Sequence, residues 1–533
     1  MFKKFVPILL PAFLLGACVS PGENLTETTE VPLVELREGK LIYHLYANQG
    51  EAEKENILPD FSYAGYKGGG VALPKAEVVI TLSPVAGDNS VQIQKALDKV
   101  GAMEPNEEGI RGAVLLTKGE YTLERTLYLN KDGVILRGEG QGEEGTILYD
   151  AQKVKNSCLI LGSSSYSLSE IPRTRSSITS PFNGTGSREV TLASAEGYAP
   201  GDTIAIVRTP NKFWTDDLEM TQWGWEGASY NLSYERTVTA VEGDTISFDI
   251  PLVDTIRSEY GGGYVYKTRI NAPVQNTGVE SLRFESFYRS SEDEDHGWAA
   301  IEMMGARNCW VKNVTARYFG YSTVNISKES AFNTIQDCAY LDGKAKITGG
   351  RRYSFAIQKG TGNLFQRCYS DEGRHDFVTG SRVTGPNVFL DCYSRVSHND
   401  SGPHHRWATG ILFDNISTEE LNVQNREDSG SGHGWAGAQI VLWNCDLTKM
   451  IVDAPKGAMN FAIGCRGQIG EGKWNSTDPR GYFYSHGEPV PTRSLYIRQL
   501  KDRLGEGVLA HVFTESQLSG TIYEELKTWA GAY

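Results

Sequence analysis

Between Trp298 and Phe461 short apolar runs alternate with Gly, Asn and Pro at a steady pace. Runs such as Asn363-Leu-Phe-Gln-Arg-Cys368 and Asn387-Val-Phe-Leu-Asp-Cys392 are rich in β-favouring residues, which predicts strands and tight turns rather than helices. Two marks repeat. One is an aromatic followed by a small residue: His296-Gly-Trp298-Ala, Tyr353-Ser-Phe355-Ala, His375-Asp-Phe377-Val, His405-Arg-Trp407-Ala, His433-Gly-Trp435-Ala and Met459-Asn-Phe461-Ala, with Phe319-Gly-Tyr321-Ser as a weaker copy. The other ends the apolar runs, at Cys309, Cys338, Cys368, Cys392, Asn415 and Cys445. These marks stand about 23 to 30 residues apart, inside the roughly 20 to 50 residue range of solenoids. In a β-solenoid each turn lies on the next at about 4.8 Å, so equivalent positions form ladders. The alignment predicts one column of Tyr353, His375, His405 and His433. It places Arg352, Arg374, His404 and Gly432 beside it on one flank, and Ser354, Asp376, Arg406 and Gly434 on the other.

The flanks of this repeat read differently. Residues 18–76 begin polar and predict a tether followed by irregular structure. Asp88-Asn-Ser90 starts a short helix with Val91, Ile93, Ala96, Leu97 and Val100 on its apolar face. Apolar runs at 114–121, 127–129 and 146–148 follow, together with Val134-Ile-Leu-Arg-Gly-Glu-Gly140, so 77–150 is read as the start of the coil. This order of capping helix, strands and Arg-Gly-Glu-Gly turn resembles the pectate-lyase-like superfamily of right-handed parallel β-helices. The resemblance covers 88–150 by motif and 277–470 by repeat. It implies an all-β solenoid fold and leaves the reaction open.

Residues 151–270 interrupt the repeat. Strand patterns at 190–192, 201–207 and 238–248 predict an inserted antiparallel β module, and Trp214, Trp223 and Trp225 in the loop between them either pack within it, as Trp more often does, or stack on sugar rings. The main coil with the active site is expected over 271–470. Residues 471–533 should cap the last turn, with a helix at 492–504 stopped by Gly505.

The N-terminus bears on location. Lys3 and Lys4 precede an apolar run and Leu15-Gly-Ala-Cys18, which resembles a bacterial lipoprotein signal. That resemblance implies removal of residues 1–17, lipidation of Cys18 and, with Val19 following, anchoring in the outer membrane. The lipid would be the only membrane contact, because no later segment approaches the roughly 18 apolar residues of a spanning helix.

Composition narrows the partners. A net charge of −14 on 533 residues argues against a nucleic-acid binder. From Gly343 to Arg382 the sign reverses: Lys344, Lys346, Arg351, Arg352, Lys359, Arg367, Arg374 and Arg382 face only Asp371, Glu372 and Asp376. A basic island on an acidic chain suits an anionic polysaccharide. The other cysteines behave as small core residues, and the chain is expected to be a monomer. Glu292-Asp-Glu-Asp295 offers oxygen ligands that calcium takes, but its spacing fixes no geometry and a solvated loop is favoured. No other cofactor is implied.

The predicted columns carry the groups for β-elimination from a uronate. Arginine neutralises a carboxylate, histidine withdraws a proton near neutral pH, and a tyrosine hydroxyl protonates a leaving oxygen. The catalytic candidates are His375, His405, Tyr353, Arg374, Arg406 and Asp376. His375 or His405 is the base, Tyr353 the acid, and Arg374 with Arg406 the carboxylate clamp. Arg352, Arg382, His404, Trp407, His433 and Trp435 are the substrate-binding candidates. A glycoside hydrolase would instead pair Asp376 with Asp371, Asp400 or Asp414, at about 5 Å for a retaining enzyme. A third reading is a non-catalytic glycan-binding surface with Trp298, Trp407 and Trp435 as a stacking platform. His44, His296, His486 and His511 are left as structural residues.

Overall fold

The computed structural model describes residues 32–520 and 522–529. The lipoprotein segment, Cys18 included, lies outside the described residues. The chain winds into the expected parallel β-helix with three walls. The first wall runs from Val78–Leu82 through Gly112–Leu116 and Val134–Arg137 up to Tyr482–Tyr484. The second runs from Gly119–Leu123 to Arg466–Ile469. The third stacks Leu127–Leu129, Asn156–Gly162, Gly297–Met304, Ser322–Ile326, Tyr353–Ile357, His375–Thr379 and Gly402–Pro403.

Three local devices fix the coil. The first and second walls meet at a one-residue bend in the left-handed region, held by Ser281, Asn313, Asp337, Arg367, Asp391, Asn415 and Asn444 at φ between 49° and 56°. Asn and Asp tolerate that conformation better than most residues. One residue further on, Leu282, Val314, Cys338, Cys368, Cys392, Ile416 and Cys445 line the core, and Cys465 does so after Gly464. Asn415 therefore belongs to the bend and not to the cysteine column, which Ile416 continues. Cys309 belongs to the opposite end of the first wall, level with an inward asparagine ladder. There Asn333 Nδ2 donates to Asn363 Oδ1 at 2.9 Å, and Asn363 Nδ2 to Asn387 Oδ1 at 3.1 Å. The amides satisfy one another and the adjoining backbone, so the turn buries no orphaned polar group.

The helix Ser90–Gly101 closes the lower end, with Ile93, Leu97 and Val100 set into the main core. Asp88 Oδ1 accepts from Ser90 N at 2.8 Å at its start. The inserted module is antiparallel as expected, in the order 167–170, 263–271, 203–208, 232–242, 245–248, 189–191. Its start differs from expectation. Asn156–Gly162 pairs with both Leu127–Leu129 and Gly297–Met304, so the coil continues to Gly162 before the module leaves it.

The two ends take places the sequence did not indicate. Leu41, Tyr46, Leu58 and Phe61 pack on Leu364, Val388, Leu412 and Trp443, so the irregular part of the 18–76 segment clothes the outside of the first wall, while the polar start expected as a tether lies largely outside the described residues. The helix Leu495–Leu504 lies on the same face, where Asp414 Oδ2 accepts from Ser494 Oγ at 2.7 Å and Tyr496 N at 2.9 Å. It covers a side, not the last turn. The apolar outer face of the first wall demanded this cover, because exposing it costs roughly 25 cal/mol per Å².

Candidate functional site

The upper end of the third wall gathers most of the predicted chemistry. Tyr353 and His375 open successive strands and are direct register partners. Inward positions of these strands fill the core, where Phe355 and Phe377 stack with centroids 6.0 Å apart. Tyr353 points outward and continues an aromatic stack from Trp298 through Tyr321, with centroids 6.1 Å and then 5.2 Å apart.

The next turn departs from the predicted column. Thr379 pairs with Pro403, so His375 stands level with Asn399 and not with His405. Arg406 and Trp407 then take φ of 56° and 59°, and two consecutive left-handed residues turn the chain off the wall toward the module. The rings nevertheless converge. Tyr353 Oη lies 3.0 Å from His404 Nε2, and His404 Nδ1 lies 3.1 Å from His405 Nδ1. His405 stacks on His433 with centroids 4.8 Å apart. His375 sets its edge against both Tyr353 and His404, at 4.8 and 4.9 Å. Gly430 makes room for His433: at φ 61° it needs the left-handed region, and a Cβ there would sit 2.3 Å from the ring.

Charge surrounds this cluster. His375 Nδ1 donates to the Asp400 carbonyl, with Asp400 Oδ1 3.6 Å away. Asp400 Oδ2 accepts from Asn422 at 3.3 Å and lies 3.8 Å from Arg426 Nη1. Arg374 is held by Gly349 O, and Arg406 by Gly432 O and Ser431. Burial lowers the pKa of every imidazole here. For His405 it acts with His433 and Arg406, reaching about 3; for His433 it acts with Arg426 and Arg406, reaching about 4. His404 falls through burial and then Arg426, and His375 falls through burial against the pull of Asp400. Burial raises Tyr353, opposed by Arg374. Burial also pushes Asp400 upward, but His375 and Arg426 outweigh it and the carboxyl stays ionised. At neutral pH the site holds neutral imidazoles, a neutral phenol and fixed guanidinium charges.

Several candidates stand elsewhere. Asp376 is 0% exposed inside the coil, where its Oδ1 accepts from Ser354 and Ser370, so it reaches no substrate. Arg352 is buried and donates to Ala345 O and Glu372 O. Arg382 is half-buried at the seam with the module, donating to Ser229 O and lying 5.4 Å from the Tyr230 ring. Trp407 and Trp435 are buried in the same seam with Trp214 and Trp225 and form no platform. Trp407 Nε1 donates to Asp254 Oδ2 at 3.0 Å. Most of the basic island is also spent on structure: Arg351 pairs with Glu294, and Arg367 with Asp337 on the far wall. The proposed carboxylate pairs are dispersed. Asp371 binds Arg395 on the second wall, Asp414 anchors the C-terminal helix, and only Asp400 is in the cluster. In the acidic run, Asp293 and Asp295 pair with Arg289 and Glu294 with Arg351. Among the described residues no group of three His, Cys, Asp or Glu side chains is placed to hold a metal. His296 is structural as expected, bonded to Ser286 Oγ and Lys344 O.

The sequence reading missed two features. Arg426 is buried beside Asp400, 4.9 Å from the Trp474 ring, and bears electrostatically on all four histidines. It sits in an irregular loop with no repeat signal. Asp453 and Asp478 interact as like charges near that loop, and burial followed by Asp478 pushes Asp453 up to about 8.

No family model matches the sequence, and no curated protein matches it. Among solved structures, the tailspike gp49 of Pseudomonas phage LKA1 is 16% identical with a TM-score of 0.46, over 71% of this chain and 56% of the tailspike. This chain therefore spans little more than half of that protein. The alginate lyase of Paenibacillus sp. str. FPU-7 is 8% identical with a TM-score of 0.39, over 78% of this chain and all of the lyase. The A-module of the Azotobacter vinelandii mannuronan C-5 epimerase AlgE6 is 11% identical with a TM-score of 0.32, over 73% and 72%. Likenesses this distant carry no argument about reaction or substrate.

Proposed function

We propose that the protein degrades an acidic polysaccharide by β-elimination at the histidine, tyrosine and arginine cluster of the third wall. One observation carries this reading: the Tyr353 hydroxyl, 3.0 Å from His404, sits among neutral imidazoles edged by arginines. Arg374 and Arg406 hold the uronate carboxylate and acidify the neighbouring C5–H by neutralising it. His405, half-buried at the rim, takes that proton through Nε2. Tyr353 protonates the leaving oxygen. His375 is 1% exposed and orients Tyr353 and His404 without touching substrate. The stack of Trp298 and Tyr321 leads sugar rings toward the cluster. Export and a lipid anchor at Cys18 belong to the same proposal, and Cys18→Ser should abolish incorporation of labelled palmitate.

The test is a screen of pectin, alginate, glycosaminoglycans, ulvan and fucoidan, followed by both ultraviolet absorbance and reducing ends. The expected result is an unsaturated product whose formation is lost in Tyr353→Phe and Arg374→Ala. Reducing ends without unsaturation would replace elimination by hydrolysis. Binding without turnover would leave a glycan-binding surface.

A further inference from the structure

We propose that His404 is a proton relay that returns to Tyr353 the proton His405 takes from the substrate, so that the site resets without leaving separated charges behind. The inference rests on the elimination reading and adds to it a role for a residue that never meets the sugar.

The geometry constrains the protons closely. His404 Nδ1 and His405 Nδ1 face each other across 3.1 Å, so one proton lies between them: two bare nitrogens repel, and two N–H groups clash. On its other side His404 Nε2 meets Tyr353 Oη at 3.0 Å. A neutral His404 has one proton, which leaves two arrangements of the triad. When Nδ1 carries it, His404 donates to His405 and accepts from Tyr353. When Nε2 carries it, His404 accepts from His405 and donates to the Tyr353 oxygen, and the hydroxyl hydrogen is free to point at a substrate. The ring cannot drift between these roles, because His375 and His433 pack on it at 4.9 and 5.1 Å.

Elimination begins from the second arrangement. The C5–H bond breaks and its proton goes to His405 Nε2. The electron pair forms the C4–C5 double bond and the C4–O bond breaks. The leaving oxygen takes the Tyr353 proton. His405 is then an imidazolium and Tyr353 a phenolate. Both are costly: burial opposes each charge, and Arg406, Arg426 and Arg382 further disfavour the imidazolium. Asp400 is the compensating anion nearby, but it is engaged by His375 and Arg426. The relay removes both charges in two short transfers, His405 Nδ1–H to His404 Nδ1 and His404 Nε2–H to Tyr353 Oη. The triad ends neutral with its original number of protons, in the first arrangement. Exchange with water at the rim restores the second.

The experiment uses the ligand-free protein labelled with ¹⁵N-histidine, so it decides the relay whether or not a substrate has been found. His404 and His405 should be neutral from about pH 5 to about pH 8, where an unperturbed histidine titrates. Tyr353→Phe, which keeps the ring and removes the oxygen, should change the tautomer populations of both His404 and His405. A purely structural His404 would leave the more distant His405 unaltered, and an unaltered His405 overturns the relay. On a polysaccharide that the screen identifies, His404→Gln should keep the first-turnover burst and slow the steady state at least about tenfold, with recovery on adding imidazole. Equal loss of burst and steady state overturns the relay while leaving the elimination reading intact.

Discussion

Trp407 separates a structural from a ligand-binding role for the aromatic column, and its contacts set the size of the effect. The ring is 1% exposed, meets Trp214 edge-on at 4.9 Å and donates to Asp254 Oδ2 at 3.0 Å. Trp407→Ala removes the ring where coil and module meet. Substitutions of this kind cost about 3 to 5 kcal/mol. Trp407→Phe keeps most of the packing and removes the hydrogen bond. It should cost about 1.5 to 3 kcal/mol, the usual range for a bond to a charged partner. Asp254 then keeps only Thr255 N at 2.9 Å and Arg208 at 3.5 Å. The loss should fall on the module, because Trp407 belongs to the apolar cluster that forms the module's core. Native-state hydrogen exchange on the strands Thr203–Arg208 and Leu232–Glu242 reads it directly. At 1.4 kcal/mol per tenfold change, protection should drop roughly a hundred- to several-thousand-fold in Trp407→Ala and roughly ten- to a hundred-fold in Trp407→Phe. Unchanged protection together with lost glycan binding would refute the packing argument and return Trp407 to a ligand surface.

Three further outcomes follow from the same geometry. Asp376→Asn should leave turnover within a few-fold of wild type, since its carboxyl is sealed among serines, whereas Tyr353→Phe should lower kcat by about 10² or more; steady-state kinetics on one substrate compares them. The folded pKa of Asp453, raised to about 8, lies above its unfolded value, so the stability tied to it is complete below about pH 4 and lost as pH rises toward 8. Asp453→Asn should therefore exceed wild type in denaturation midpoint at pH 8 and match it below pH 4; the same offset at both would contradict the assignment. The histidines shift the other way: His433, lowered to about 4, contributes stability present above its ordinary value near 6.5 and lost as pH falls toward 4. His433→Gln should flatten the decline of the unfolding midpoint between pH 6.5 and pH 4.

The sequence by itself determined the coil. Strand-forming runs and core cysteines are local preferences repeated at a fixed period, and a period survives without knowledge of neighbours; the helix at Ser90 was legible from its own amphipathic pattern. It also identified Tyr353, His375, His404, His405 and His433 as a group, because stacked turns bring like positions together. What it could not carry was direction and register. Asp376 and Arg352 sit beside site residues in the chain yet turn inward or toward backbone, since the side a residue faces is decided by the strand on which it stacks. The turn at Arg406 and Trp407 broke the predicted column, and the module claimed Trp407 through a hydrogen bond to Asp254, 153 residues away in the chain, and Trp435 through the apolar cluster both share. Arg426 and the 32–76 segment have no periodic signature, and the amphipathic pattern at 492–504 announced a helix without saying which face of the coil it covers. Their places follow from burying charge beside charge and apolar surface against apolar surface, which only the assembled chain can do.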